Sequence, residues 1–231
     1  MPNSTSLRIG GLSPLSSVDW PGELAATVFL QGCPWRCPYC HNPHLLGVAG
    51  GEDLGWDDVL DFLRTRVGLL DGVVFSGGEP TVQAGLADGI REARALGFRI
   101  ALHTGGPVPA RMSELLSLLD WVGFDFKAPF AEYERVTRVA GSGASARESL
   151  VAVLASGVAH EVRTTVHPAL LDDAALLRMA DELAEMGVAR WVLQPFRVEG
   201  CADATLISAP RTALRLSAAL AGHSLAVTVR E

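Results

Sequence analysis

Six short apolar runs rich in Val, Ile and Phe, at residues 25–30, 72–75, 99–103, 121–126, 161–166 and 190–194, alternate with stretches whose apolar residues recur every three to four positions. The runs read as buried strands, and the stretches at 57–66, 83–96, 110–119, 146–156 and 172–186 as amphipathic helices. This alternation builds parallel strands joined by right-handed helical crossovers. Gly68, Gly97, Gly157 and Gly187 follow helices at the position that favours a left-handed cap. A last helix is expected over 209–221, with Ser208 and Pro210 at cap-like positions, and 225–229 adds a final strand. A complete (β/α)8 barrel takes about 250 residues. With 231 residues, the chain is expected to be α/β, an incomplete (β/α)6 TIM-like barrel of parallel strands with an open side.

Composition narrows the function. At 48% hydrophobic and without a low-complexity tract, residues 1–231 are expected to form a single domain. The opening MPNSTSLRIG lacks the cationic and apolar regions of a secretory leader, and no run reaches the ~18 apolar residues of a membrane span. A cytoplasmic, membrane-free protein is the expectation. Net charge is −7, from 19 basic and 26 acidic residues with no run of either sign, which argues against nucleic acid as a partner. Four cysteines, three of them crowded at 33–40, suit ligands better than a disulfide framework.

In parallel α/β folds chemistry gathers at the C-terminal ends of the strands. The segments that follow the six runs are QGCPWRCPYC, SGGEP, HTGG, DFKAP, VHP and QPFR. Cys33, Cys37 and Cys40 stand at C-x3-C-x2-C spacing in a loop, 32–41, that Gly32 and two prolines keep from becoming a regular helix. Three thiolates converging there suit an iron-sulfur cubane with one iron left open. A zinc site completed by His41 or His44, and a thioredoxin-like Cys37/Cys40 pair, are the competing readings. In SGGEP, the adjacent Gly77 and Gly78 permit close backbone approach to a ligand, and Glu79 offers a carboxylate for an ammonium group. Of the 19 basic residues 18 are Arg, so the lone lysine, Lys127, marks a place where a compact ammonium differs from a planar fork. Strand alternation sends Asp125 and Lys127 to one face.

GCPWRCPYCHNP followed by SGGEP resembles the radical S-adenosylmethionine (SAM) superfamily, and within it the glycyl-radical-enzyme activating enzymes, with anaerobic ribonucleoside-triphosphate reductase activating proteins the nearest type. The likeness runs from VDWPGELAATVFLQGC through FSGGEPTVQ, LHTGG and VGFDFKAP to VRTTVHP and VLQPFR. It implies that Cys33, Cys37 and Cys40 hold three irons of one 4Fe-4S cluster, and that the amino and carboxylate groups of SAM chelate the fourth. It also implies reductive SAM cleavage to a 5′-deoxyadenosyl radical, which takes hydrogen from a glycine of a partner enzyme. Tyr39 then matches the aromatic that lies against the adenine. Gly77, Gly78 and Glu79 match the loop that receives the methionine amino group. Asp125 and Lys127 match a D-x-K motif, and Arg163 an arginine that positions the cofactor. The partner implied is a glycyl radical enzyme, anaerobic ribonucleotide reductase first, with a flavodoxin or ferredoxin-type electron donor.

The pattern is broken at HTGG. Related activases carry D-T-N-G there, and that Asp contributes to a monovalent cation site. His103 is a poor ligand for such an ion, Gly105 replaces Asn, and Thr104 is retained. Cys201 reads as a free loop thiol. His167 and Arg197 border the proposed strand ends, while His44, His160 and His223 read as solvated or satisfied. Trp20, Trp56, Trp121 and Trp191 read as packing residues. Rival functions are activation of pyruvate formate-lyase or another glycyl radical enzyme, a small-molecule enzyme of the 7-carboxy-7-deazaguanine synthase type, and a zinc-stabilised binding module.

Overall fold

The structure is a computed structural model that describes residues 7–48, 54–209 and 217–230. Eight strands form one sheet in sequential order: β1 (Ile9–Ser16), β2 (Ala25–Leu30), β3 (Gly72–Gly77), β4 (Arg99–Thr104), β5 (Trp121–Asp125), β6 (Ala159–Val166), β7 (Arg190–Pro195) and β8 (Ala226–Val229). From β2 to β8 every pairing is parallel. The helices are α1 (Trp56–Arg64), α2 (Leu86–Ala95), α3 (Pro109–Leu115), α4 (Tyr133–Thr137), α5 (Ser142–Ser156), α6 (Asp173–Glu185), α7 (Ala204–Ser208) and α8 (Ala218–Ala221). All six strands read from the sequence are present, as is the final one. The architecture is that of an incomplete TIM-like barrel.

β1 is the addition, and it runs antiparallel to β2. Gly10, Gly11 and Pro14 interrupt its apolar pattern, and its register breaks between Ile9 and Gly11 and between Ser13 and Ser16. Tertiary contacts hold it where local propensity does not. The Gln83 side chain accepts from Arg8 N at 2.8 Å and donates to Arg8 O at 2.9 Å and Gln31 O at 3.0 Å. Gln83 is therefore extended and buried, and the helix expected from residue 83 begins at Leu86.

The helix expected from residue 146 begins earlier, at Ser142. Ser142 and Gly143 read as loop, but a side chain at 143 would collide with the Phe130 carbonyl, so helix and loop close together there. Gly68, Gly97, Gly157 and Gly187 all have positive φ, as expected of caps. Ser208 ends α7 rather than starting a helix, and the cap of α7 is Asp203, whose side chain accepts from Thr205 N and Leu206 N. Of the helix expected over 209–221, residues 210–216, including Pro210, lie outside the described residues, and α8 occupies its end.

Alternation along the strands separates two faces. Val73, Phe75, Ile100, Leu102, Val122 and Phe124 face the main core beneath the helices. Their neighbours Ala25, Val74 and Ala101 face the barrel interior, where they pack with Trp20 and Trp121. These two indoles stack at 6.2 Å and close the floor of the lumen at the N-terminal end of the parallel strands. Gly72 leaves the room for Trp20, and Gly123 the room for Trp121. Above this floor the same interior positions carry His103, Asp125 and Arg163, so strand periodicity delivers a polar layer between an aromatic floor and the loops.

Candidate active site

The cysteine loop leaves β2 at Gly32, whose φ of 99° turns the chain. It is held mainly by backbone groups. Gly32 N and Cys33 N donate to Leu45 O and Leu46 O at 2.7 and 3.2 Å, Cys40 N to Cys37 O at 3.0 Å, and Arg36 N to Thr137 O at 2.9 Å. The Arg36 guanidinium curls back to Cys33 O at 2.5 Å and Trp35 O at 2.8 Å. Burial pushes the Cys33 thiol up to about 12, with Glu79 adding to the effect, and burial raises Cys37 and Cys40 as well.

The SGGEP turn is locked to this loop. Gly78 N donates to Leu30 O and Glu79 N to Gly32 O, both at 2.8 Å. A side chain at 78 would collide with the Gly32 carbonyl, and one at 77 with Leu30. The two glycines thus bring the turn against the cysteine loop's own backbone. Glu79 is 3% exposed. Its Oε1 accepts from Thr81 N, Thr81 Oγ1 and Thr104 Oγ1 at 3.1, 2.6 and 2.7 Å, and its Oε2 from Gly105 N at 3.0 Å. Burial raises its pKa, while these four donors favour the charged form. Glu79 is therefore a bracket between the ends of β3 and β4, and Thr104 is engaged in that bracket.

In the polar layer Arg163 Nε donates to Asp125 Oδ1 at 2.6 Å, and Lys127 Nζ lies 3.8 Å from Asp125 Oδ2. Burial works against the Asp125 charge, but Arg163 and Lys127 hold the carboxyl below its usual range. Lys127 keeps its charge despite burial, with Tyr39 and Asp125 raising its pKa well above the usual lysine range. Its ammonium lies 5.8 Å from the Trp35 ring centre and 5.7 Å from that of Tyr39. His103 Nε2 meets Asp19 O at 2.7 Å, which makes it the ring donor. Arg163 Nη1, 3.4 Å from the same nitrogen, is then a neighbour rather than a donor to it. Burial, with Arg163 next, lowers the His103 pKa to about 4, so the ring is neutral.

Four of the other five histidines have structural partners. His41 Nε2 meets Arg197 O at 3.1 Å, and its ring stacks on Phe196. His167 is fully buried behind Phe196, with Nε2 meeting Leu206 O at 3.1 Å. His160 bonds Val158 O, His223 pairs with Asp181, and His44 is exposed. The Cys201 thiol donates to Pro38 O at 3.4 Å, packing the segment after β7 onto the cysteine loop. Trp56 and Trp191 are buried in the main core.

A cavity of about 430 Å³ joins these parts. Its lining includes Cys33, Cys37, Tyr39 and Cys40 from the loop, Gly77, Gly78 and Glu79 from the turn, Thr104 and Gly105, and Asp125, Lys127 and Arg163. Every site residue expected from the sequence thus borders one space, of a size that suits a small ligand. Arg197 and Arg230 line it as well, and Arg230 is held bidentately by Glu161 at 2.8 and 2.5 Å. Trp35 and Arg230 were not legible as residues lining this cavity. For Trp35 the available signal was its place between two of the cysteines.

A sequence profile of the Radical SAM superfamily matches residues 27–180. The chain belongs to the radical SAM superfamily. This radical SAM enzyme is 30% identical over 207 residues to a protein of Methanocaldococcus jannaschii whose name places it among glycyl-radical enzyme activating enzymes, covering 84% of this chain and 82% of that one. It is 32% identical over 177 residues to the pyruvate formate-lyase-activating enzyme of Clostridium pasteurianum, covering 74% and 73%. Together these relatives put it in the activase group of the superfamily. Among solved structures, Streptococcus suis SuiB bound to SAM superposes with a TM-score of 0.62 at 11% identity, over 87% of this chain and 48% of that one. This last match is one of fold, and to about half of the solved chain.

Radical SAM enzymes work with a 4Fe-4S cluster and SAM. The residues present fit that pair. Three thiols on one loop face a single cavity, and metal coordination supplies the positive charge that would ionise thiols held protonated by burial. Among the described residues no three His, Cys, Asp or Glu converge as ligands for one metal ion. In a cubane each thiolate takes its own iron, so the thiols need only ring the cluster. Among the described residues no helix is long and apolar enough to cross a membrane.

Proposed function

We propose that this radical SAM enzyme installs a glycyl radical on a partner protein, by removing hydrogen from a glycine α-carbon, and that the partner is an anaerobic ribonucleoside-triphosphate reductase. Cys33, Cys37 and Cys40 would hold three irons of the cluster. The methionine end of SAM would lie between the Gly77–Glu79 turn and Lys127, and the adenine against Tyr39. When bound, the pair of cofactors supplies a one-electron cleavage of the sulfonium that yields a primary carbon radical. The protein's part is placement and exclusion. Glu79 and Thr104 fix the turn. Asp125 and Arg163 fix the lumen wall. Trp20 and Trp121 keep water from entering below.

The observation that supports the SAM chemistry in this reading is the single cavity shared by the cysteine loop, the SGGEP turn and Lys127, and the choice of the reductase rests on the sequence resemblance. The open side of the barrel leaves room for a loop of another protein, and a flavodoxin or ferredoxin-type protein would supply the electron. Activation of pyruvate formate-lyase is the second reading, favoured by the Clostridium relative. The test is anaerobic reconstitution with reductant and SAM, followed by electron paramagnetic resonance with each partner in turn. A glycyl doublet on the reductase and none on the formate-lyase supports the first reading. The reverse result supports the second.

A further inference from the structure

Lys127 is half-buried at the cavity wall, its side chain 15% exposed, and its ammonium has no hydrogen-bond acceptor within reach among the described residues. Asp125 Oδ2, at 3.8 Å, is an ion-pair partner only. Three N–H donors on a partly desolvated cation call for an acceptor, and the cavity is the side from which one can come. What aims the group is aromatic. Its nitrogen lies 5.8 Å from the Trp35 ring centre and 5.7 Å from that of Tyr39, and both rings border the cavity.

Trp35 can occupy this place because residue 105 is glycine. A side chain at 105 would collide with the indole and come within 3.1 Å of Lys127 Cε. The indole is also held from behind. Tyr133 meets it edge-on at 5.9 Å, and the Tyr133 hydroxyl accepts from Lys127 N at 3.0 Å. One buried tyrosine thus fixes both the ring and the backbone of the lysine that the ring faces.

We propose that Trp35 is a positioning residue for the cofactor: seated on Gly105, its indole forms with Tyr39 a two-ring cage that points the Lys127 ammonium at the carboxylate the cavity receives. The inference rests on the reading of the cavity as the SAM site. Tyr39 alone would leave the ammonium free to swing toward the space over Gly105. With Trp35 in place that space is filled, and the four-carbon stem is confined between two rings.

The composition of the chain supplies the test. Lys127 is the sole lysine, so selective ¹³Cε-lysine labelling yields one side-chain signal and no assignment problem. Spectra are taken on the anaerobic cluster-loaded enzyme and, to separate ring current from the cluster's own shift, on the cluster-free chain. The expected result is an upfield displacement from the ordinary lysine position in both forms, reduced in Trp35→Ala, where Tyr39 alone remains, and retained in Trp35→Phe. In SAM titrations of the loaded enzyme, Trp35→Ala should bind about tenfold more weakly and Trp35→Phe close to wild type. A wild-type signal at the ordinary lysine position overturns the cage even if no variant folds. Unchanged SAM affinity in a folded Trp35→Ala overturns its role toward the cofactor. Failure of SAM to bind the wild-type loaded enzyme is a separate result that removes the underlying reading, and the proposal with it, while an undisplaced signal with normal SAM binding removes the cage alone.

Discussion

Glu79 Oε1 accepts the Thr104 hydroxyl at 2.7 Å, so a single buried carboxylate joins the ends of β3 and β4. Converting it to an amide turns one acceptor into a donor that faces donors. Glu79→Gln should cost about 2–4 kcal/mol, lowering the melting temperature of the cluster-free chain by about 4–16 °C. Thr104→Val removes one donor and should cost about 1 kcal/mol. Equal melting curves for wild type and Glu79→Gln would contradict the bracket.

Gly78 packs on the Gly32 carbonyl with no room for a methyl group. Gly78→Ala should move the SGGEP turn away from the cysteine loop at a cost of about 1–3 kcal/mol. Its signature is a lower iron content per chain after reconstitution, measured beside wild type.

His103 supplies a pH dependence. Its pKa in the fold is lowered to about 4, by burial first and Arg163 second, from an ordinary value of 6.5. In acid the unfolded chain takes up the proton before the folded chain does. Stability from this group is therefore complete above about pH 6.5, falls as the pH drops and is lost near pH 4, by up to about 3 kcal/mol. His103→Gln, which cannot charge, should show a shallower loss between pH 6.5 and 4 in denaturant titrations. Parallel curves for the two proteins would remove this explanation.

Lys127→Arg keeps the charge but places a planar fork where the rings leave room for a compact ammonium. Reductive cleavage of SAM with a chemical reductant should fall by tenfold or more. Full activity in this variant would show that charge alone suffices.

Cys201 bonds a backbone carbonyl, and the proposed three-thiolate cluster gives it no role as a ligand. Cys201→Ser, which keeps a donor, should leave the reconstituted iron content unchanged, whereas alanine at Cys33, Cys37 or Cys40 should abolish the cluster. Iron loss in the serine variant would make Cys201 a fourth ligand.

Much of the fold was legible because the parallel strands are buried on both faces and read as apolar runs between glycine caps. β1 was not, because its glycines and proline carry no strand signal and its place is set by Gln83, more than sixty residues away. The candidate site was legible wherever a motif fell at a strand end, as with Cys33, Glu79 and Asp125. What the spacing could not tell was how each group is used. The glycines of SGGEP are spent on the neighbouring loop, Glu79 on four protein donors, and the indole of Trp35 on the gap left by Gly105.

The floor formed by Trp20 and Trp121 has a bearing on where the working unit begins. The profile that defines the superfamily starts at residue 27, yet Asp19, whose carbonyl holds His103, and Trp20, which stops the lumen, both precede it. A chain trimmed to the recognisable family segment would keep its three thiols, its glycine turn and Trp121, but would lose the indole that stacks on Trp121 at the bottom of the lumen. Solvent would then reach the polar layer of His103, Asp125 and Arg163 from below and raise the local dielectric around its charges. The hairpin ahead of the first barrel strand is in this sense the stopper of the reaction vessel.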